Sequence, residues 1–171
     1  HGVPGAFMSM LGISFLNKII LENNILQADK ILNDLRANVI HSLKQTGAEG
    51  ESKDGMDMAL VVIDMKEMYM EFAGANNPLY MIRDEEFNET KADRMPIGYY
   101  LHDDAFGRHR IELKKGDCCY LFSDGYPDQF GGPRGKKFKY THFKKLLLEH
   151  RDKPMEDQQK ILEKTLEDWR A

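Results

Sequence analysis

The stretch Cys118-Cys119-Tyr120-Leu121-Phe122-Ser123-Asp124-Gly125-Tyr126-Pro127-Asp128 decides how the rest of the chain is read. Its mostly apolar start, with two aromatic residues, predicts a buried strand, and the Ser-Asp-Gly behind it predicts an abrupt end to that strand. A carboxylate, Asp124, therefore stands where a core strand surfaces. Gly125 lets the backbone depart sharply, and Pro127 suits the first turn of a short helix. Taken alone, Asp124 reads first as a cap for that helix. The second reading is an oxygen ligand held at a pocket rim for a hard cation such as Mg²⁺ or Mn²⁺.

Downstream, residues 131–140 form a basic segment interleaved with aromatics, read as a solvated loop with phosphate-bearing partners as the alternative. Phe143, Leu146 and Leu147 open a helix, and a final helix from Pro154 sets Met155, Gln158, Leu162, Thr165, Leu166 and Trp169 along one side. Upstream, residues 110–113 and 117–123 read as strands with Lys114-Lys115-Gly116 as their turn. Residues 56–63 and 67–73 form a hairpin about Asp64-Met65-Lys66, and residues 78–83 and 86–90 another about Asp84-Glu85. Two helices come first. Pro4 starts one whose Phe7, Met8, Leu11, Phe15, Leu16, Ile19 and Ile20 predict a broad buried face. Asn24 and Gln27 resemble a capping pair for the second, whose stripe is Ala28, Ile31, Leu32, Leu35, Val39, Ile40 and Leu43. Several antiparallel strands between helical segments give an α+β domain, and with no internal repeat residues 1–171 are read as one domain.

The net charge of −4 makes no case for a general nucleic-acid binder, which needs an excess of Lys and Arg. An apolar fraction of 42% with 30% charged residues is ordinary for a soluble globular protein. The two cysteines are neighbours on opposite faces of a strand, read as reduced core residues in a cytoplasmic setting. Residues 7–21 are apolar, but Ser9, Asn17, Lys18 and Glu22 interrupt them in the manner of a buried helix, so no bilayer-spanning segment is expected. A chain opening His-Gly-Val-Pro is expected to be part of a longer protein, which could itself be membrane-tethered.

Three stretches in order, residues 1–12, residues 72–80 with Asn76-Asn77-Pro78, and Tyr120-Leu121-Phe122-Ser123-Asp124-Gly125, resemble the SpoIIE-like branch of the PPM (protein phosphatase 2C) metal-dependent serine/threonine phosphatases. The resemblance covers nearly the whole chain. It implies an α/β/β/α layered sandwich of antiparallel sheets flanked by helices, incomplete at the termini, with two Mn²⁺ or Mg²⁺ ions in a cleft. In that family a metal-activated water attacks a phosphoserine or phosphothreonine, and the cations stabilise the developing charge. Asp124 matches a metal-ligand aspartate and is the catalytic candidate, with Gly125 beside it and Asp128 one turn on as support. Asn76 and Asn77 match a loop near the cleft, where substrate positioning competes with plain turn chemistry. His1 and Gly2 match the end of Asp-x-x-Gly-His-Gly, whose aspartate would lie upstream. The resemblance also implies a bacterial signalling protein with an upstream sensor domain and a phosphorylated protein substrate, an anti-sigma-factor antagonist being one candidate. No nucleic-acid partner is implied, and homodimers through exposed apolar faces are a further expectation. Only one of the family's metal ligands is visible, so these residues are expected to hold metal poorly and hydrolyse little. A phosphoprotein-binding module without catalysis is the alternative.

Overall fold

The computed structural model describes residues 2–48, 54–101 and 104–171. Their elements, in chain order, are α1 Gly2–Asn17, α2 Ala28–Ser42, β1 Met58–Asp64, β2 Tyr69–Ala75, β3 Leu79–Arg83, β4 Glu86–Thr90, β5 His109–Glu112, β6 Cys118–Leu121, β7 Phe130–Gly131, β8 Lys136–Lys137, α3 Tyr140–Glu149 and α4 Met155–Arg170. Helices and antiparallel strands mix as the α+β reading requires. The chain divides into two compact units, residues 1–79 with 90–115, and residues 80–89 with 116–171.

The first unit is built on the sheet β1-β2-β5. β1 and β2 pair antiparallel from Met58 opposite Ala75 to Asp64 opposite Tyr69. The turn between them closes because the Asp64 carboxylate accepts the N–H groups of Lys66 and Glu67, at 2.9 and 3.0 Å. The α2 stripe read from the sequence is buried at Ala28, Ile31, Leu32, Leu35 and Val39, in one apolar cluster with Ala73 and Ala75 of β2. The capping pair is not there. Gln27 makes no side-chain cap, and Asn24 sits in the left-handed region at φ 53°. Instead, the buried Glu71 carboxylate of β2 accepts the Ala28 N–H at 3.3 Å, which places a negative charge at the helix's positive end.

α1 departs further from expectation. Met8, Gly12 and Ile19 are buried, but Val3, Phe7, Met10, Ile13 and Leu21 are exposed, so the buried face is a narrow stripe. A π-helical turn, Lys18–Glu22, continues α1, and with it Gly2–Glu22 is by length and composition a helix able to cross a bilayer. That corrects the reading in which polar interruptions ruled out such a segment, since Lys18 and Glu22 fall only in its last turn.

In the second unit the sheet order is β4-β3-β6. Tyr80, Ile82, Phe138, Phe143 and Leu147 form its core. The Phe122 ring lies 4.5 Å from Tyr80 and 5.0 Å from Phe143. Two expectations fail here. The strands on either side of Lys114-Lys115-Gly116 do not pair with each other, because β5 bonds to β2 and β6 to β3. That turn instead carries the chain from one sheet to the next. Nor is β6 a buried strand. It lies at the sheet edge with one covered face, so Cys118 and Tyr120 are half-buried while Cys119 and Leu121 are exposed. Both thiols are free, and Cys119 is therefore not a core residue. The basic segment also holds structure not foreseen, since β7 and β8 pair as a short ribbon with Phe130 opposite Lys137 and Gly131 opposite Lys136.

Candidate functional site

Beyond β6, Phe122 is the last side chain anchored in the aromatic core, and Ser123, Asp124 and Gly125 are exposed. The chain then dives back, with Tyr126 half-buried and Pro127 buried. The predicted short helix is one hydrogen-bonded turn, in which the Asp128 N–H donates to the Asp124 carbonyl at 2.8 Å and the Gln129 N–H to the Tyr126 carbonyl at 3.2 Å. Asp124 is thus no helix cap. Its carboxylate makes no hydrogen bond or ion pair among the described residues, and the residue is exposed.

Five contacts hold this turn and the residue behind it. The Tyr126 hydroxyl donates to the Leu162 carbonyl at 2.7 Å, and burial pushes its phenol up to about 12. Lys137 Nζ meets the Asp128 carboxylate at 2.6 Å, and the Lys139 N–H donates to the Pro127 carbonyl at 2.6 Å. The Gln129 carbonyl accepts the Phe138 N–H at 2.9 Å and Trp169 Nε1–H at 3.1 Å. Asp128 therefore supports the Asp124 turn through its backbone, while its carboxylate holds the ribbon.

Asn76 and Asn77 lie in the first unit, just past β2. Asn76 is left-handed at φ 60°, its N–H donates to the Asp93 carbonyl at 2.9 Å, and its Nδ2–H donates to Asp57 Oδ1 at 2.8 Å. The Asn77 N–H closes a tight turn on the Ala75 carbonyl at 2.7 Å. Asp93 in turn receives the Gly107 N–H on its carboxylate at 2.8 Å. Turn chemistry accounts for these contacts, and the sequence reading missed that Asp57 and Asp93 are what fix Asn76. Gly2 opens α1 at φ 66° and is exposed, and His1 lies outside the described residues.

Among the described residues, no three His, Cys, Asp or Glu side chains converge into a metal-holding group. Asp124 offers one open carboxylate, whereas those of Asp128 and Asp57 are engaged by Lys137 and Asn76. This set does not fit a two-ion centre, which needs several carboxylates around each pair of hard cations. An apolar cavity of about 400 Å³ shares Phe122 and Tyr126 with the turn, but Asp124 is not among its lining residues.

The family model for stage II sporulation protein E, SpoIIE, matches residues 1–171. The chain belongs to the SpoIIE family. Among solved structures it is similar to the SiaA-PP2C domain of Pseudomonas aeruginosa, at 30% identity and a TM-score of 0.87, covering 100% of this chain and 65% of that one. It shares its fold with the PP2C phosphatase domain and regulatory-domain fragment of SpoIIE from Bacillus subtilis, at 23% identity and a TM-score of 0.72, covering 100% of this chain and 47% of that one. The SpoIIE-family chain thus spans less than two thirds of either relative. No curated protein matches it. The α+β arrangement of helices and antiparallel sheets is that of PP2C domains, and the family as a whole is generally metal-dependent.

Proposed function

We propose that this chain is part of a metal-dependent serine/threonine protein phosphatase of a bacterial signalling system, to which it contributes the carboxylate of Asp124. The observation that carries this reading is the Asp124 turn. An exposed, open carboxylate sits at the end of an edge strand, on a turn pinned by Tyr126, Asp128 and Pro127, in a chain matched over its whole length by the family. A rigid backbone below an open oxygen ligand is what metal-assisted hydrolysis asks of a scaffold. The remaining ligands would come from outside the described residues, and the substrate class is a phosphorylated protein, with an anti-sigma-factor antagonist as the first candidate.

The test is manganese-dependent phosphate release from a phosphoserine peptide, by a protein extended beyond residues 1 and 171 and by its Asp124→Asn variant. Loss of an ion ligand should cost at least as much as loss of a ligand's supporting partner, about a hundredfold. Equal turnover by the variant would sink the assignment. Tight phosphopeptide binding without turnover under any metal would favour the alternative, a phosphoprotein-binding module.

A further inference from the structure

The charge of the chain reverses locally. Against a net charge of −4 overall, residues 129–148 carry Arg134, Lys136, Lys137, Lys139, Lys144 and Lys145 and no Asp or Glu. Three of these cations are answered by acids from elsewhere in the same unit, as Lys137 meets Asp128, Lys144 meets Glu89 and Lys145 meets Glu149. Arg134, Lys136 and Lys139 are exposed and form no ion pair among the described residues. Beside them on the ribbon, Phe130 leaves 60% of its surface in solvent. The ring lies 5.9 Å from Lys137 Nζ, and an aromatic side chain set among cations fits a partner surface that carries both negative charge and apolar contact.

The ribbon is also built to hold its position. Gly131 and Gly132 let it lie against α4, where the Gly132 N–H donates to the Trp169 carbonyl at 2.6 Å, and any side chain at Gly131 would meet that same carbonyl. Its other side is tied to the Asp124 turn through Asp128–Lys137, Pro127–Lys139 and Gln129–Phe138. The ribbon is therefore fixed to the turn that carries Asp124.

We propose that the β7–β8 ribbon, through Arg134, Lys136, Lys139 and Phe130, is a docking surface for an acidic segment of the protein substrate. The assignment rests on the phosphatase reading for its substrate but not for its binding. Charge complementarity of this kind acts first on the rate of encounter and is weakened by salt.

The experiment is fluorescence anisotropy on the whole chain with a dye-labelled Glu-rich peptide, unphosphorylated so that no turnover is involved. A Gln/Ser peptide and an oligo-dT strand serve as competing probes. Binding of the acidic peptide is expected to fall about tenfold in the Arg134→Gln, Lys136→Gln, Lys139→Gln variant and to weaken similarly between about 50 and 200 mM salt. Phe130→Ser should weaken it too, while Lys145→Gln on α3 leaves it unchanged. Equal binding of the acidic peptide by the triple variant, equal binding of the neutral peptide, or preference for oligo-dT would each overturn the proposal. Ribbon-dependent peptide binding in a protein that hydrolyses no phosphopeptide would leave the docking surface standing and remove only the phosphatase reading.

Discussion

Arg83 and Asp117 meet as a fork, with Nε–Oδ1 and Nη2–Oδ2 both at 2.8 Å and the Asp117 side chain only 4% exposed. The pair joins the end of β3 to the residue just before β6, so it fixes the strand that leads to the Asp124 turn. Two parallel charge-assisted bonds have little freedom to relax when one partner is neutralised. Asp117→Asn should therefore destabilise the chain by about 3 kcal/mol in urea unfolding, since it removes the charge from the buried side of the pair. A loss below about 1 kcal/mol would mean that the pair behaves as an exposed surface bridge. Partial burial raises the Cys119 thiol above its usual range, the Asp117 carboxylate adds to this, and Arg83 opposes it.

α4 is docked through phenols. The Tyr120 hydroxyl donates to Gln158 Oε1 at 2.8 Å and the Tyr126 hydroxyl to the Leu162 carbonyl at 2.7 Å. Burial raises both phenols from 10.0 to about 12, with Cys118 adding to the effect at Tyr120. Between those values an unfolded chain has released protons that the folded one keeps, so the contribution of these two phenols to stability must fall as pH rises from 10 toward 12 and be flat below that window. Tyr120→Phe and Tyr126→Phe should each lose about 1 kcal/mol at neutral pH from the missing hydrogen bond. Each should also flatten the alkaline decline, and melting curves across that range check both. At this scale the sequence was informative where the signal is local. The α2 stripe and the turns at Asp64 and Asp84 follow from spacing within one segment. What spacing cannot carry is the choice of neighbour, so β5 and β6, adjacent in sequence, ended in different sheets. The ribbon stayed hidden because its strands are two residues each, with a glycine in one, and are held by Trp169 and Asp128 rather than by their own pattern.

At the scale of the whole chain, family membership was legible from three ordered stretches, and Asp124 is exposed on the turn that follows β6. The roles of Asn76 and Asp128 were less legible, because each is defined by a partner remote in sequence, Asp57 for one and Lys137 for the other. The same census bears on metal affinity. One open carboxylate leaves a divalent ion mostly to its own water, so ions should bind these residues weakly. An ion that binds only the folded state raises stability by RT ln(1 + [ion]/Kd), and at a hundred times Kd that amounts to about 2.7 kcal/mol. Manganese at about 1 mM is therefore expected to leave the thermal midpoint of the 171-residue chain nearly unmoved and to support little phosphopeptide turnover. A stabilisation near 2.7 kcal/mol would put Kd a hundredfold below the ion concentration and show that residues 1–171 assemble a tight centre on their own. In that case Asp124→Asn should abolish both the shift and the turnover, whereas Asp128→Asn should release Lys137 and loosen the ribbon without removing the ion.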